Sequence, residues 1–206
     1  MSDHLIEFDR AGRITASVVG AILRHDESHS QRWAWRVITG REPERVNRDM
    51  QRGLDHEDDA IESLEIELGV LAFPGRFVAH PDLDWLGGSP DGFISESGIL
   101  VPVEAKCPRM VHAEIPLHYY DQVQTQVECC DVPYGYFISW EGDRQRVWRV
   151  ERDDEWWTLN RPLLESFYRD YVEADLEPPK APRRSKCLVD IQRNAERNSM
   201  RARIMG

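Results

Sequence analysis

The stretch from Gly87 to Lys106 constrains this chain more than any other: Gly87-Gly88-Ser89-Pro90-Asp91-Gly92, a reversal, then Val101-Pro102-Val103-Glu104-Ala105-Lys106. Phe93-Ile94 and Ile99-Leu100-Val101 flank Ser95-Glu96-Ser97-Gly98, residues of the kind that turn a chain, so the spacing predicts two short strands joined as a hairpin. Side chains alternate faces along a strand. Ile99, Val101, Val103 and Ala105 therefore share one face, and Leu100, Pro102, Glu104 and Lys106 the other.

A hairpin that brings Asp91 alongside Glu104 and Lys106 puts two carboxylates and an ammonium on one face. Mg²⁺ favours oxygen ligands in octahedral geometry and keeps waters in the remaining positions, so Asp91, Glu104 and the carbonyl of Ala105 would suit it. Lys106 beside such an ion could position an attacking water or neutralise a pentavalent phosphorus, and the chemistry implied is phosphodiester hydrolysis. A salt bridge between neighbours on a surface hairpin would use the same E-x-K residues. Ser-Pro-Asp-Gly followed at hairpin distance by Glu-x-Lys-Cys-Pro is the narrower pattern.

Ser89-Pro90-Asp91-Gly92 with Glu104-Ala105-Lys106-Cys107-Pro108 resembles the PD-(D/E)XK nuclease core, in the branch of phage lambda exonuclease and the YqaJ-type viral recombinases. Asp121-Gln122-Val123-Gln124 is similar to that branch's A-Q-V-Q helix, and Arg13-Ile14-Thr15-Ala16-Ser17 to its I-T-A-S segment. The resemblance implies an α/β fold, a central mixed β-sheet flanked by helices. It also implies a Mg²⁺-dependent 5′-to-3′ exonuclease on linear double-stranded DNA, with Mn²⁺ a substitute. Family members form a ring-shaped homotrimer and pass the 3′ strand to a single-strand annealing protein. An endonuclease on the same core, or a non-catalytic DNA-binding or assembly module, is the alternative.

The chain of 206 residues is long enough for one core, and one domain over residues 1–179 is expected, with a basic tail over 180–206 that is helical from Leu188 to Met205. That tail holds eight Lys and Arg against two Asp and Glu, whereas residues 1–179 hold 18 against 35. Phosphate binding normally leaves a basic footprint, so the acidic body argues against nucleic acid unless a local positive channel exists. Absence of a long apolar run or leader-like start predicts a cytoplasmic protein without membrane contact. Cys107, Cys129, Cys130 and Cys187 form no C-x-x-C pair, and Cys129-Cys130 reads as core.

Outside the hairpin, a helix is expected from Arg48 to Leu68, where Leu54, Ile61, Leu64 and Leu68 form a stripe that also carries Glu57. An ionised group on such a stripe is costly without a partner. The resemblance makes Glu57 the completing member of the acidic cluster. The helix start after Arg10 and Arg13 is a candidate anion site, and the resemblance assigns Arg10, Ser17 and Ser89 to a terminal 5′-phosphate. It also assigns Gln122, on the helix Leu117 to Cys130, to the scissile phosphate or its attacking water. His112 stands where the family has a phosphate-binding arginine, which leaves Arg109 as the candidate for that ligand. Pro162 predicts a kink or a split in the helix that begins at Asp153 or Asp154.

Overall fold

The computed structural model describes residues 10–42, 51, 53, 55–180 and the backbone of 203–205. The chain enters through a two-residue strand, β1 (Ile14–Thr15), and helices α1 (Ala16–Ile22), α2 (Gln31–Ile38) and α3 (Glu57–Leu68). Short strands β2 (Ala72–Pro74), β3 (Val78–Ala79) and β4 (Leu86–Gly88) lead to the hairpin β5 (Gly92–Glu96) and β6 (Ile99–Lys106). Helix α4 (Leu117–Cys130) then crosses to β7 (Tyr134–Trp140), which turns back as β8 (Gln145–Glu151) before helix α5 (Asp154–Phe167).

Among the described residues six strands form the main sheet in the order β2-β5-β6-β7-β8 followed by β9 (Arg203–Met205), antiparallel to β8. β6 and β7 are parallel and the other neighbours antiparallel, so the sheet is mixed and α4 is the crossover that the parallel pair requires. β1, β4 and β3 make a second, three-stranded sheet.

Both faces of the main sheet are covered. Ile94, Val101, Val103, Ala105, Tyr136 and Ile138 pack with Ala60 and Leu64 of α3. On the opposite face Phe137, Trp148 and Val150 join Val18, Val19, Val123, Val127 and Leu164 from α1, α4 and α5. The expected alternation along β6 is therefore observed: Val101, Val103 and Ala105 face α3, and Glu104 is turned toward α4.

The hairpin turn is tighter than expected. Glu96 pairs directly with Ile99, and only Ser97 (φ 52°) and Gly98 (φ 83°) form the bend, the two left-handed residues that match the twist of a two-residue loop. Pro162 neither splits nor stops α5, which is continuous through it. Its position is exposed, and α5 is followed directly by a short π-helix, Tyr168–Glu173. The segment expected to open the helix at Arg48 lies mostly outside the described residues, and the described helix starts at Glu57 after His56. Most of the helix expected from Leu188 to Met205 also lies outside them, and its end is strand, not helix, where β9 hydrogen-bonds to the open edge of β8.

α1 and α4 approach so closely that a Cβ on Gly20 would sit 2.6 Å from Cβ of His118. Gly20→Ala must push the helices apart, and overpacking of this kind costs about 1–3 kcal/mol. The thermal midpoint of the variant should fall accordingly, read by circular dichroism; an unchanged midpoint would show that α1 and α4 can separate freely.

Candidate active site

Asp91 is fastened to β6 twice. Its N–H donates to the carbonyl of Val103 at 3.0 Å, continuing the β5–β6 ladder by one residue. Its Oδ2 then accepts from the N–H of Ala105 at 2.7 Å, so the side chain takes the place of the next strand residue. Gly75 lies against this peptide, where a Cβ would meet the carbonyl oxygen of Pro90 at 2.1 Å. The sharp exit from Ser89-Pro90 thus aims the carboxyl back across β6.

Glu104 has no exposed surface. Three donors converge on its carboxylate: the Lys106 ammonium and Gln122 Nε2 (2.5 Å) on Oε1, and Gln126 Nε2 (2.5 Å) on Oε2. Both glutamines come from α4, one turn apart, as the helical period requires. Lys106 keeps a quarter of its side chain open to solvent, and its ammonium lies 5.4 Å from the centre of the Tyr119 ring.

These charges feel one another. Burial, then repulsion by Glu104, holds the Asp91 carboxyl well above the ordinary carboxylate range, and the Lys106 ammonium offsets only part of this. Burial also raises Glu57, which senses Lys106 and Glu104. For Lys106 burial favours loss of the proton, but Glu104 and Asp91 more than offset it, so the ammonium is held above its usual value. The structure therefore brings Asp91, Glu104, Ala105, Lys106, Gln122 and Glu57 together around one end of β6.

The remaining candidates divide. β1 and β4 are parallel with Thr15 opposite Gly87, so Ser17 and Ser89 each follow two residues later at the same end of that sheet. Ser17 is exposed and its hydroxyl lies 3.2 Å from that of Thr15, whereas the Ser89 hydroxyl is buried and meets no hydrogen-bond partner among the described residues. Arg10 precedes β1 by one turn, its carbonyl accepting from the N–H of Arg13. Arg109 is exposed three residues beyond Lys106. His112 donates its N–H to Ser139 Oγ at 3.0 Å, and burial followed by the charge of His118 lowers its imidazole pKa, which disfavours a cationic role.

Two features escaped the motif. Gln126 does to Oε2 what Gln122 does to Oε1, and the signal was its place four residues after Gln122. Asp121, fully buried, accepts from His25 Nδ1 (2.7 Å) and Trp156 Nε1 (2.9 Å), tying α4 to α5 and to the residues just after α1. No sequence period distinguishes such a cross-chain pair.

Among the described residues no three His, Cys, Asp or Glu side chains gather as a metal-ligand cluster. The donor set is Asp91 and Glu104 with the Ala105 carbonyl, all oxygen and with two carboxylates crowded in a buried place, which suits a hard divalent cation that keeps waters. No helix among the described residues is long and apolar enough to cross a membrane.

The family model of the YqaJ-like viral recombinase domain matches residues 7–133. A search of curated proteins returns no match. Among solved structures, the chain is similar to an alkaline exonuclease (LHK-Exo) from Laribacter hongkongensis. The identity is 23% and the TM-score 0.69, over 95% of this chain and 99% of that one, and the figures are the same for its complex with dAMP. A phage related exonuclease from Haemophilus somnus 129PT matches at 13% identity and TM-score 0.61, over 79% of this chain and 95% of that one. These likenesses show the fold.

An acid whose pKa is raised by folding stabilises the fold while protonated and loses that contribution as pH climbs through the raised value. In chelator, Asp91→Asn should therefore melt above the wild type at neutral pH, by about 2–4 °C for each 1 kcal/mol relieved. The gap should close as pH falls toward the ordinary carboxylate range. A gap independent of pH would show that Asp91 is not the strained acid.

Proposed function

Because the chain belongs to the YqaJ-like viral recombinase domain family, we propose that it is a metal-dependent 5′-to-3′ exonuclease acting on linear double-stranded DNA. The observation that carries this reading is the convergence of Asp91, Glu104 and Lys106 at one end of β6. Asp91, Glu104 and the Ala105 carbonyl would hold Mg²⁺, or Mn²⁺ in its place. A bound cation supplies Lewis acidity at a phosphoryl oxygen and eases deprotonation of water.

The protein's own groups do the rest. Lys106 stays charged, so it serves as a donor and counter-charge for the phosphoryl group, not as a base. Gln122 holds the Glu104 carboxylate in place, and there it would also meet the scissile phosphate or its attacking water. Glu57, also raised by burial, can keep a proton beside them. Arg10, Ser17 and Ser89 would take the terminal 5′-phosphate; the common exit of Ser17 and Ser89 from paired β1 and β4, and a Ser89 hydroxyl without a partner among the described residues, support that assignment. Arg109 would contact the next phosphate. The homotrimer ring and the single-strand annealing partner follow from the family resemblance.

End-labelled duplex in Mg²⁺ tests the reading. Linear DNA with a 5′-phosphate should be degraded from its 5′ ends faster than DNA without one, a covalently closed circle should be spared, and chelator should stop the reaction. Lys106→Ala should lower the rate by about 10²–10³-fold. Extensive cutting of the circle would favour an endonuclease, and undiminished product from the variant would place the chemistry elsewhere.

A further inference from the structure

We infer that Gln126 is a positioning residue for Glu104, holding the carboxylate oxygen Oε2 so that the group meets a divalent cation through Oε1. The inference rests on the metal-dependent reading above. Gln126 is 1% exposed and lies one turn along α4 from Gln122. Its Nε2 donates to Oε2 at 2.5 Å, while Gln122 and Lys106 both address Oε1. The division matters, because a cation can replace the Lys106 contact at Oε1 without disturbing Oε2.

Two further observations point the same way. The carbonyl Oε1 of Gln126 is buried and accepts no hydrogen bond from the described residues, so the amide gains nothing from its other end. Turning the amide over would set that oxygen against the Glu104 carboxylate. Among the described residues the orientation of the amide is thus set by Glu104. The backbone also passes close beside it: a Cβ on Gly88 would lie 3.2 Å from Gln126 Cγ and 3.5 Å from Cβ of Ala16, so the side chain runs against β4 on its way to Glu104. Gln124, two residues back, shows the contrast. Its amide binds the Glu151 carbonyl and accepts from the Asp153 N–H, and it serves only the scaffold.

Mn²⁺ titrated calorimetrically into the full chain without DNA tests the role. Gln126→Met should weaken Mn²⁺ binding about 10–100-fold, the usual consequence of losing a group that orients a ligand. Nuclease rate in the same variant should recover as Mn²⁺ is raised. Gln126→Asn, which retains an amide but ends one methylene short of Glu104, should show the same loss while keeping the wild-type circular dichroism spectrum, which separates lost positioning from misfolding. Gln124→Met should lower the thermal midpoint and leave Mn²⁺ affinity unchanged. Wild-type affinity in both Gln126 variants would overturn the inference while leaving the metal reading intact. A wild-type chain that binds no Mn²⁺ would sink that reading and this one with it.

Discussion

A carboxylate with no exposed surface sits against the middle of α4, and the cost of leaving it unpaired organises what surrounds it. An ionised group taken out of water loses several kcal/mol unless its hydrogen-bonding capacity is met. Glu104 meets that demand with Lys106, Gln122 and Gln126, which requires α4 to lie close over β6. Close approach in turn demands small residues at the contacts. Gly20 lets α1 reach α4, Gly88 admits the Gln126 side chain, and Gly135 sits where a Cβ would be 3.1 Å from Val127 and from the Pro102 carbonyl.

The same arrangement separates two jobs among like-charged residues. Glu104 is surrounded by donors, whereas Asp91 has one backbone N–H and bears the repulsion of its neighbour. Lys106 lies on the boundary, anchored to Glu104 yet partly open to solvent beside Tyr119. At this point of an acidic chain a single ammonium, Lys106, stands among the carboxyls of Asp91, Glu104 and Glu57 and offsets only part of their repulsion.

Much of this was legible in the sequence because the hairpin is a local object. The alternation of Val101, Val103 and Ala105 against Glu104 and Lys106 follows from strand geometry alone, and the helical period put Gln122 and Gln126 on one side of α4. Glu57 was legible from its stripe, though the helix proved to begin at that residue. Other features were hidden for physical reasons. The Asp91 side chain standing in for a strand residue needs the turn's three-dimensional path. The placement of Ser17 and Ser89 at one end of a sheet needs β1 and β4 to lie parallel, 72 residues apart at Ile14 and Leu86. Pro162 does not divide its helix, since α5 runs through it from Asp154 to Phe167.

The hydrogen bonds of the site close short stretches of chain, 14 residues from Asp91 to Ala105, 18 and 22 from Glu104 to the two glutamines. Those of the frame close long ones, 96 residues from His25 to Asp121 and 136 from Trp35 to Tyr171. Loop-closure entropy makes the 136-residue contact about 2 kcal/mol harder to form than the 18-residue one. The carboxylate clamp can therefore assemble early as the chain condenses, while the outer helices dock last. Heat or denaturant should undo them in the reverse sequence, baring the clamp before dismantling it.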